Sequence, residues 1–558
     1  MGRTIVGGVA FAVLACLSCA PAVAESADGS PGWEACLKAP TRACVLDEAL
    51  FAVQSFIAPD RQPPLEPAEV RAHRAAPLAT IAEAYANAGN VQAALRVAGS
   101  IPSDHPALVS ALRVIAGAEA KLGLENQAKQ TFVTVHLLAD SLADPLGHAE
   151  ALQAIATAEA EAGLATEADS DFRKALAQAA GFDIPAAAAG SPCIIFASPE
   201  DRLESLLKSL AEQRARAGDV SGSLTAARFI KYKPNLRTEA LVAIATIQSQ
   251  NGHPSEAGPI LKEASEAADA TQTPLQHWPS CPNMRFQADA SAGLLVDLLG
   301  TVAKAQARAG LTDDATATLE AALHVVPTIQ DGSVMTSDLA KSLALSKIAM
   351  AQHDVGLTSQ SEATLERAVQ AASTVNDPKL PLMSPVKLGR AQANIGHIAD
   401  AAATFDRAQA LARALPDAAR RAGSLLEIFD AKAEAGLAGD SDDTLAASLE
   451  AARSIPEPSK RVLLLRRIAL AQEKQGRLPD AVATYREVLE AVAANDAHGW
   501  LRASALFNVI RRWPQGFAGD PRNLLAQTAP QALQIAQSIT DGLRRAEALV
   551  VIAQVLPN

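Results

Sequence analysis

One glycine recurs along this chain with a fixed neighbourhood, at Gly89, Gly123, Gly163, Gly218, Gly252, Gly310, Gly356, Gly396, Gly436 and Gly476. The intervals are 34, 40, 55, 34, 58, 46, 40, 40 and 40 residues. Eight residues before each glycine stands an aliphatic residue, from Ile81 and Ile115 through Val302 and Leu388 to Ile468. Seven before it comes Ala except at Gly389 and Phe429, and eleven before it comes Leu except at Pro385. Positions −11, −8, −7 and −4 fall on one face of an α-helix. The glycine predicts the end of that helix, because it takes the left-handed C-terminal conformation without strain.

Five residues after each glycine the side chain is small, as at Ala94, Ser223, Ala401 and Ala481. Nine after it the side chain is usually large, as at Phe132, Phe172, Leu319, Phe405 and Tyr485. This spacing predicts a second amphipathic helix that crosses the first closely at the small residue. A helix pair of this size cannot bury its apolar face alone, so copies must stack on one another. Composition agrees: aromatics are 4% and hydrophobic residues 49%, which suits alanine-rich helices and argues against a β-sandwich or barrel. The expected class is an all-α, right-handed α-solenoid of about ten to twelve repeats.

The pattern resembles the tetratricopeptide repeat (TPR) family over roughly 78–489. The matches are clearest at Leu465, Ile468, Ala469, Gly476, Ala481, Tyr485 and Leu489, and at Leu152, Ile155, Ala156, Gly163, Ala168, Phe172 and Ala175. The residue four before the glycine departs from the family's usual Tyr, being Glu119, Glu159, Gln306, Gln352, Gln392 or Gln472 in six repeats. The resemblance implies a scaffold that binds a peptide or protein in the groove formed by its first helices. The Asn/Lys arrangement of the family's chaperone-tail clamps is not reproduced.

The amino terminus reads as an address. Arg3 precedes an uncharged apolar stretch from Thr4 to Ala20, and Ala22-Val23-Ala24 is a small-x-small cleavage site. The expectation is a signal peptide over 1–24, cleavage after Ala24 and a periplasmic or secreted protein. Lipoprotein anchoring at Cys16 is the minor alternative. The apolar stretch is short for a bilayer span, and nothing after it resembles another, so no integral span is expected after cleavage. An acidic chain of net charge −12 lacks the clustered Lys and Arg that nucleic-acid binding requires.

Cleavage would leave four cysteines in an oxidising compartment, Cys36, Cys44, Cys193 and Cys281. Cys36 and Cys44 flank a turn at Ala39-Pro40-Thr41, so a bridge there would staple a hairpin worth roughly 2–3 kcal/mol by loop entropy. Cys193 with Cys281 follows by elimination, against the alternative of two separate thiols. These two lie in Pro-containing insertions near 181–199 and 271–286, readable as a stapled binding lip or as plain connections. The remaining boundaries are an N-terminal cap over 25–75, the solenoid over 76–495, and a degenerate C-terminal capping repeat over 496–558 with its last helix near Gly542 to Val555.

No dinucleotide, P-loop, nucleophile-elbow or zincin motif is present, and no metal ligands or cofactor site are expected. Ser205-Leu206-Leu207-Lys208 fits Ser-x-x-Lys, but its companion motifs are missing and it falls within a repeat helix. The expectation is a non-enzyme. Function then falls to the outer positions of the first helices, where Lys304, Arg308, Lys347, Lys387 and Arg390 form a positive stretch with Asp297 among them. They are candidates for an acidic peptide or carboxylate. A self-assembling envelope component, and less so a cell-wall-acting enzyme, are the competing classes; nothing in the sequence sets the oligomeric state.

Overall fold

The computed structural model describes residues 33–56, 67–182, 199–272, 289–329, 337–373, 383–437, 442–493, 529–530, 532–539 and 541–556. Helix α1 is Trp33–Lys38 and α2 is Arg42–Gln54. Ten helix pairs follow: α3 (Pro67–Asn87) with α4 (Val91–Ala98), α5 (Pro106–Lys121) with α6 (Glu125–Ala139), α7 (Pro145–Glu161) with α8 (Ala165–Ala180), and α9 (Pro199–Arg216) with α10 (Val220–Phe229). Next come α11 (Pro234–Gln250) with α12 (Pro254–Asp269), α13 (Asp289–Arg308) with α14 (Thr312–Val325), and α15 (Ser337–Asp354) with α16 (Thr358–Ser373). The series continues with α17 (Met383–Asn394) and α18 (Ile398–Arg413), α19 (Ala418–Glu434) and α20 (Asp442–Arg453), and α21 (Pro458–Lys474) and α22 (Leu478–Ala493), before α23 (Gly542–Val555). The chain is an all-α solenoid of TPR-like helix-turn-helix repeats.

All ten recurring glycines have positive φ, between 72° and 96°. Each turn closes the same way. The glycine N–H donates three residues back, as from Gly89 to the Ala86 carbonyl at 2.9 Å, and the next N–H donates to the carbonyl at −4, as from Leu311 to Gln306 at 2.9 Å. This double bond pattern satisfies the carbonyls that a helix end leaves orphaned, and it needs a left-handed residue at the glycine.

The expected stripe is buried. At −8, Ile81, Ile115, Ile155, Leu210 and Ile244 are fully enclosed, and at +5 Ala94, Ser223, Ala257, Ala315 and Ala401 are too. Each buried Leu or Ile contributes about 1.5–3 kcal/mol relative to exposure. The Gly389 exception is complementary to its partner: a Cβ there would stand 2.6 Å from the Phe405 ring.

The helices group into two compact units. The first comprises Met1–Ala143, Ala154–Ala168 and Leu449–Asn558. In it α3 packs on α4 and α5, and α5 on α6; α21 packs on α22, and α23 lies against α2 and α3. The second comprises Asp144–Gln153 and Asp169–Ser448. Here first helices α9, α11, α13, α15, α17 and α19 follow one another side by side, with a continuous core through Leu299, Leu319, Ile348, Leu365 and Leu388.

The boundary expected at 75/76 falls inside a helix. Helix α3 starts at Pro67 and runs through Pro77, so the first repeat claims residues assigned to the cap. Cys36 and Cys44 are bonded, with Cα atoms 5.9 Å apart, and join α1 to α2 across the expected turn. The last helix spans the residues expected for it, Gly542–Val555. Cys193, Cys281 and nearly all of both insertions lie outside the described residues, as do the signal segment and its cleavage site.

Candidate functional site

The side chains at −4 of each repeat are polar and buried: Glu119, Glu159, Arg214, Gln248, Gln306, Gln352, Gln392, Lys432 and Gln472, with Tyr85 in the first copy. Where hydrogen bonds define their direction, several reach the second helix of the preceding repeat. Lys432 Nζ donates to Asp406 at 2.7 Å and Gln409 at 3.0 Å, and Glu159 meets His136 at 3.0 Å. The Tyr85 hydroxyl donates to Asp47 on α2, and burial, with this bond, raises its pKa far above that of a free phenol. Burial likewise pushes the Glu119 carboxyl up, against a hydrogen bond from Thr131. A buried charged group that loses its partner costs several kcal/mol, so these ties set which helix follows which. Their role is structural. The departure from Tyr signalled the position; its partner was not readable.

Glu204 of α9 makes a further tie that sequence reasoning missed. Its side chain is fully buried and accepts N–H bonds from Lys231, Tyr232 and Lys233 at 2.8, 2.7 and 2.7 Å, at the start of α11. Lys233 also pairs with Asp201. A carboxylate at a helix N-terminus is favoured by the exposed N–H groups there. Nothing in the local spacing marks Glu204.

The five cations expected from the sequence lie on α13, α15 and α17 of the second unit. Position and exposure follow the reading: Arg308 and Lys387 are exposed, while Lys304, Lys347 and Arg390 are half-buried to exposed. Three of the five cations are already paired across neighbouring first helices. Lys304 meets Asp354 at 2.8 Å, Lys347 meets Asp297 at 2.5 Å, and Arg390 meets Glu434 at 2.8 Å. The first and last of these repeat one relation, −6 of one repeat to −2 of the next. The strip is therefore a ladder of pairs, and only Arg308 and Lys387 of the five hold no ion pair among the described residues. Lys208 of the Ser-x-x-Lys match sits within α9, 2.5 Å from Glu239.

Exposed pairs of this kind contribute about 0–1 kcal/mol each, because water screens them and ordering two long side chains has an entropic cost. They do little to hold the stack together. A ligand carboxylate could displace Asp297, Asp354 or Glu434 at small cost. Arg390 Nε and His353 Nδ1 are enclosed without a hydrogen-bond partner among the described residues, leaving donors or acceptors at the base of the same face.

No protein-family model matches the chain, and no curated protein does. Among solved structures it is similar to a kinesin light chain of TPR-like repeats from Podosopora anserina, at 18% identity and a TM-score of 0.24, over 40% of this chain and 99% of that one. It is also similar to a signal-transduction ATPase with a tetratricopeptide repeat sensor from Pyrococcus horikoshii, at 11% identity and a TM-score of 0.24, over 88% and 72%. A third is Ton1535 from Thermococcus onnurineus, at 14% identity and a TM-score of 0.22, over 78% and 98%. The assignment to TPR-like repeats rests on the ten turns and helix pairs of this chain itself. Among the described residues, no helix is long and apolar enough to cross a membrane.

Proposed function

We propose that the chain is a non-enzymatic protein-interaction scaffold, exported to the periplasm or beyond, that binds an acidic segment of a protein partner along α13, α15 and α17. The observation that carries this reading is the exposed first-helix face, where Arg308 and Lys387 have no carboxylate partner among the described residues and Lys304, Lys347 and Arg390 hold exchangeable ones. Stacked repeats present side chains from successive helices to one extended ligand, so several weak contacts add along its length. An acidic peptide would meet Arg308 and Lys387 first and then compete for the paired cations.

The test is capture from cross-linked cell envelope with the native chain and with an Arg308→Glu/Lys387→Glu variant. Loss of a specific partner from the reversed variant, with binding of a Glu-rich peptide to the native chain falling as salt rises, supports the face. The same partners captured by both variants overturn it. Export is read by N-terminal sequencing, expected to begin at Glu25.

A further inference from the structure

Helices α2 and α23, far apart in the sequence, meet within the first unit in a way that repeats the internal architecture. Helix α23 lies on α2 as a first helix lies on its own second helix, and α23 and α2 together lie on α3 as one repeat lies on the next. By sequence α23 is a first helix. Asp541 caps it by accepting N–H bonds from Leu543 and Arg544, as Asp417 accepts from Arg420 at the start of α19. Arg545 donates to the Ile539 carbonyl six residues back, as Arg421 does to Leu415 and Arg461 to Ile455 in α19 and α21. Leu549, Ile552 and Ala553 then stand where Leu465, Ile468 and Ala469 stand in α21.

The contact is close and specific. Leu549, Val550, Ile552 and Ala553 are almost fully buried, against an α2 that buries Val45, Leu46, Ala49, Ala52 and Val53. A Cβ on Gly542 would stand 2.6 Å from the Ala52 carbonyl oxygen, so the helices approach at a residue that only glycine can occupy without a shift. Arg42, held between the bonded Cys36 and Cys44, donates to the Ala553 and Leu556 carbonyls at 3.1 and 2.9 Å. Those carbonyls lie at the C-terminal end of α23: Leu556 caps the helix, and the Ala553 carbonyl also accepts the Leu556 N–H at 3.2 Å.

We propose that α2 and α3 form an acceptor site for a first-type repeat helix, that α23 is its resident, and that one repeat is thus assembled from two segments distant in the sequence. These helices then form one cooperative element, with Arg42 as its clasp. Loosening α23 exposes α2 and the adjoining face of α3 together.

Hydrogen exchange on the full chain tests this together with a labelled synthetic peptide of residues 541–556. In Arg42→Ala, amides of 546–553 are expected to exchange about tenfold faster, from loss of a charged donor to two carbonyls, with α2 amides following. Leu549→Asp is expected to release α23, so that the labelled peptide binds this variant and not the wild type, whose site is filled. Binding to neither chain, or equally to both, overturns the acceptor site; faster exchange in α23 with α2 unchanged overturns the shared repeat. Arg42→Ala, which leaves the apolar contact of α23 with α2 in place, keeps the test decisive should Leu549→Asp lose its fold.

Discussion

Removing the Glu204 carboxylate should destabilise the second unit more than removing any of its exposed ion pairs. Three backbone N–H groups converge on this side chain at 2.7–2.8 Å, and it is fully buried. Hydrogen bonds to a charged group contribute about 1.5–3 kcal/mol each, so the gross interaction is about 4.5–9 kcal/mol. Desolvation opposes it. Burial pushes the Glu204 carboxyl above its ordinary range despite the three donors and Lys233, which means that enclosing the charge outweighs what the donors return to the charged form. We expect a net loss of about 2–4 kcal/mol for Glu204→Ala, which orphans the donors and leaves a cavity. Glu204→Gln keeps one acceptor oxygen for Lys231 and Tyr232 but turns an NH2 toward the Lys233 N–H, and should lose about 1–2 kcal/mol. For a unit of this size about 2 °C of melting temperature corresponds to 1 kcal/mol, so the Ala variant should melt about 4–8 °C lower. Calorimetry reads the shift, and hydrogen exchange at Lys231–Lys233 localises it. An Ala variant within 1 °C of wild type, with those amides still protected, would refute the reasoning.

Two further outcomes follow from packing and charge. Gly389→Ala gains about 1 kcal/mol of helix propensity but drives a methyl into the Phe405 ring at a cost of about 1–3 kcal/mol, so it should be neutral to destabilising; in a Phe405→Leu background it should cost less, and strict additivity in the double-mutant cycle would contradict the contact. Glu263 is held below its ordinary value of 4.5 by hydrogen bonds from Arg228 and then Arg237, partly offset by burial. Its depressed carboxyl stabilises the fold above that value and loses this contribution as pH falls through the folded one, so the wild-type advantage over Glu263→Gln should be present at pH 7 and shrink below about pH 4.5. Urea unfolding at several pH values measures it, and a pH-independent difference would exclude the ionic account.

By itself the sequence determined the repeat: where each first helix ends, which stripe it buries and where its partner crosses. These are local properties. A glycine at a left-handed turn and apolar residues at −11 and −8 act within about 20 residues, so their spacing survives however the copies stack. The chemistry-bearing positions on the outer face were legible for the same reason, since helical periodicity alone places Lys304, Arg308, Lys347, Lys387 and Arg390 there. Their pairing was not. Asp297, Asp354 and Glu434 come from adjacent first helices 44–50 residues away, and connections of unequal length hide which carboxylate falls beside which cation. Tertiary structure also decided what the polar residues at −4 do, because Asp406 for Lys432 and His136 for Glu159 lie on the preceding repeat. The longest such decision joins Arg42 to Leu556 across 514 residues. Sequence could read α23 as a helix and its Leu549-x-x-Ile552 spacing as amphipathic, but an apolar stripe fits any complementary face. Only folding places α2 against it, because α2 and α3 present the kind of surface that a first helix covers in other repeats.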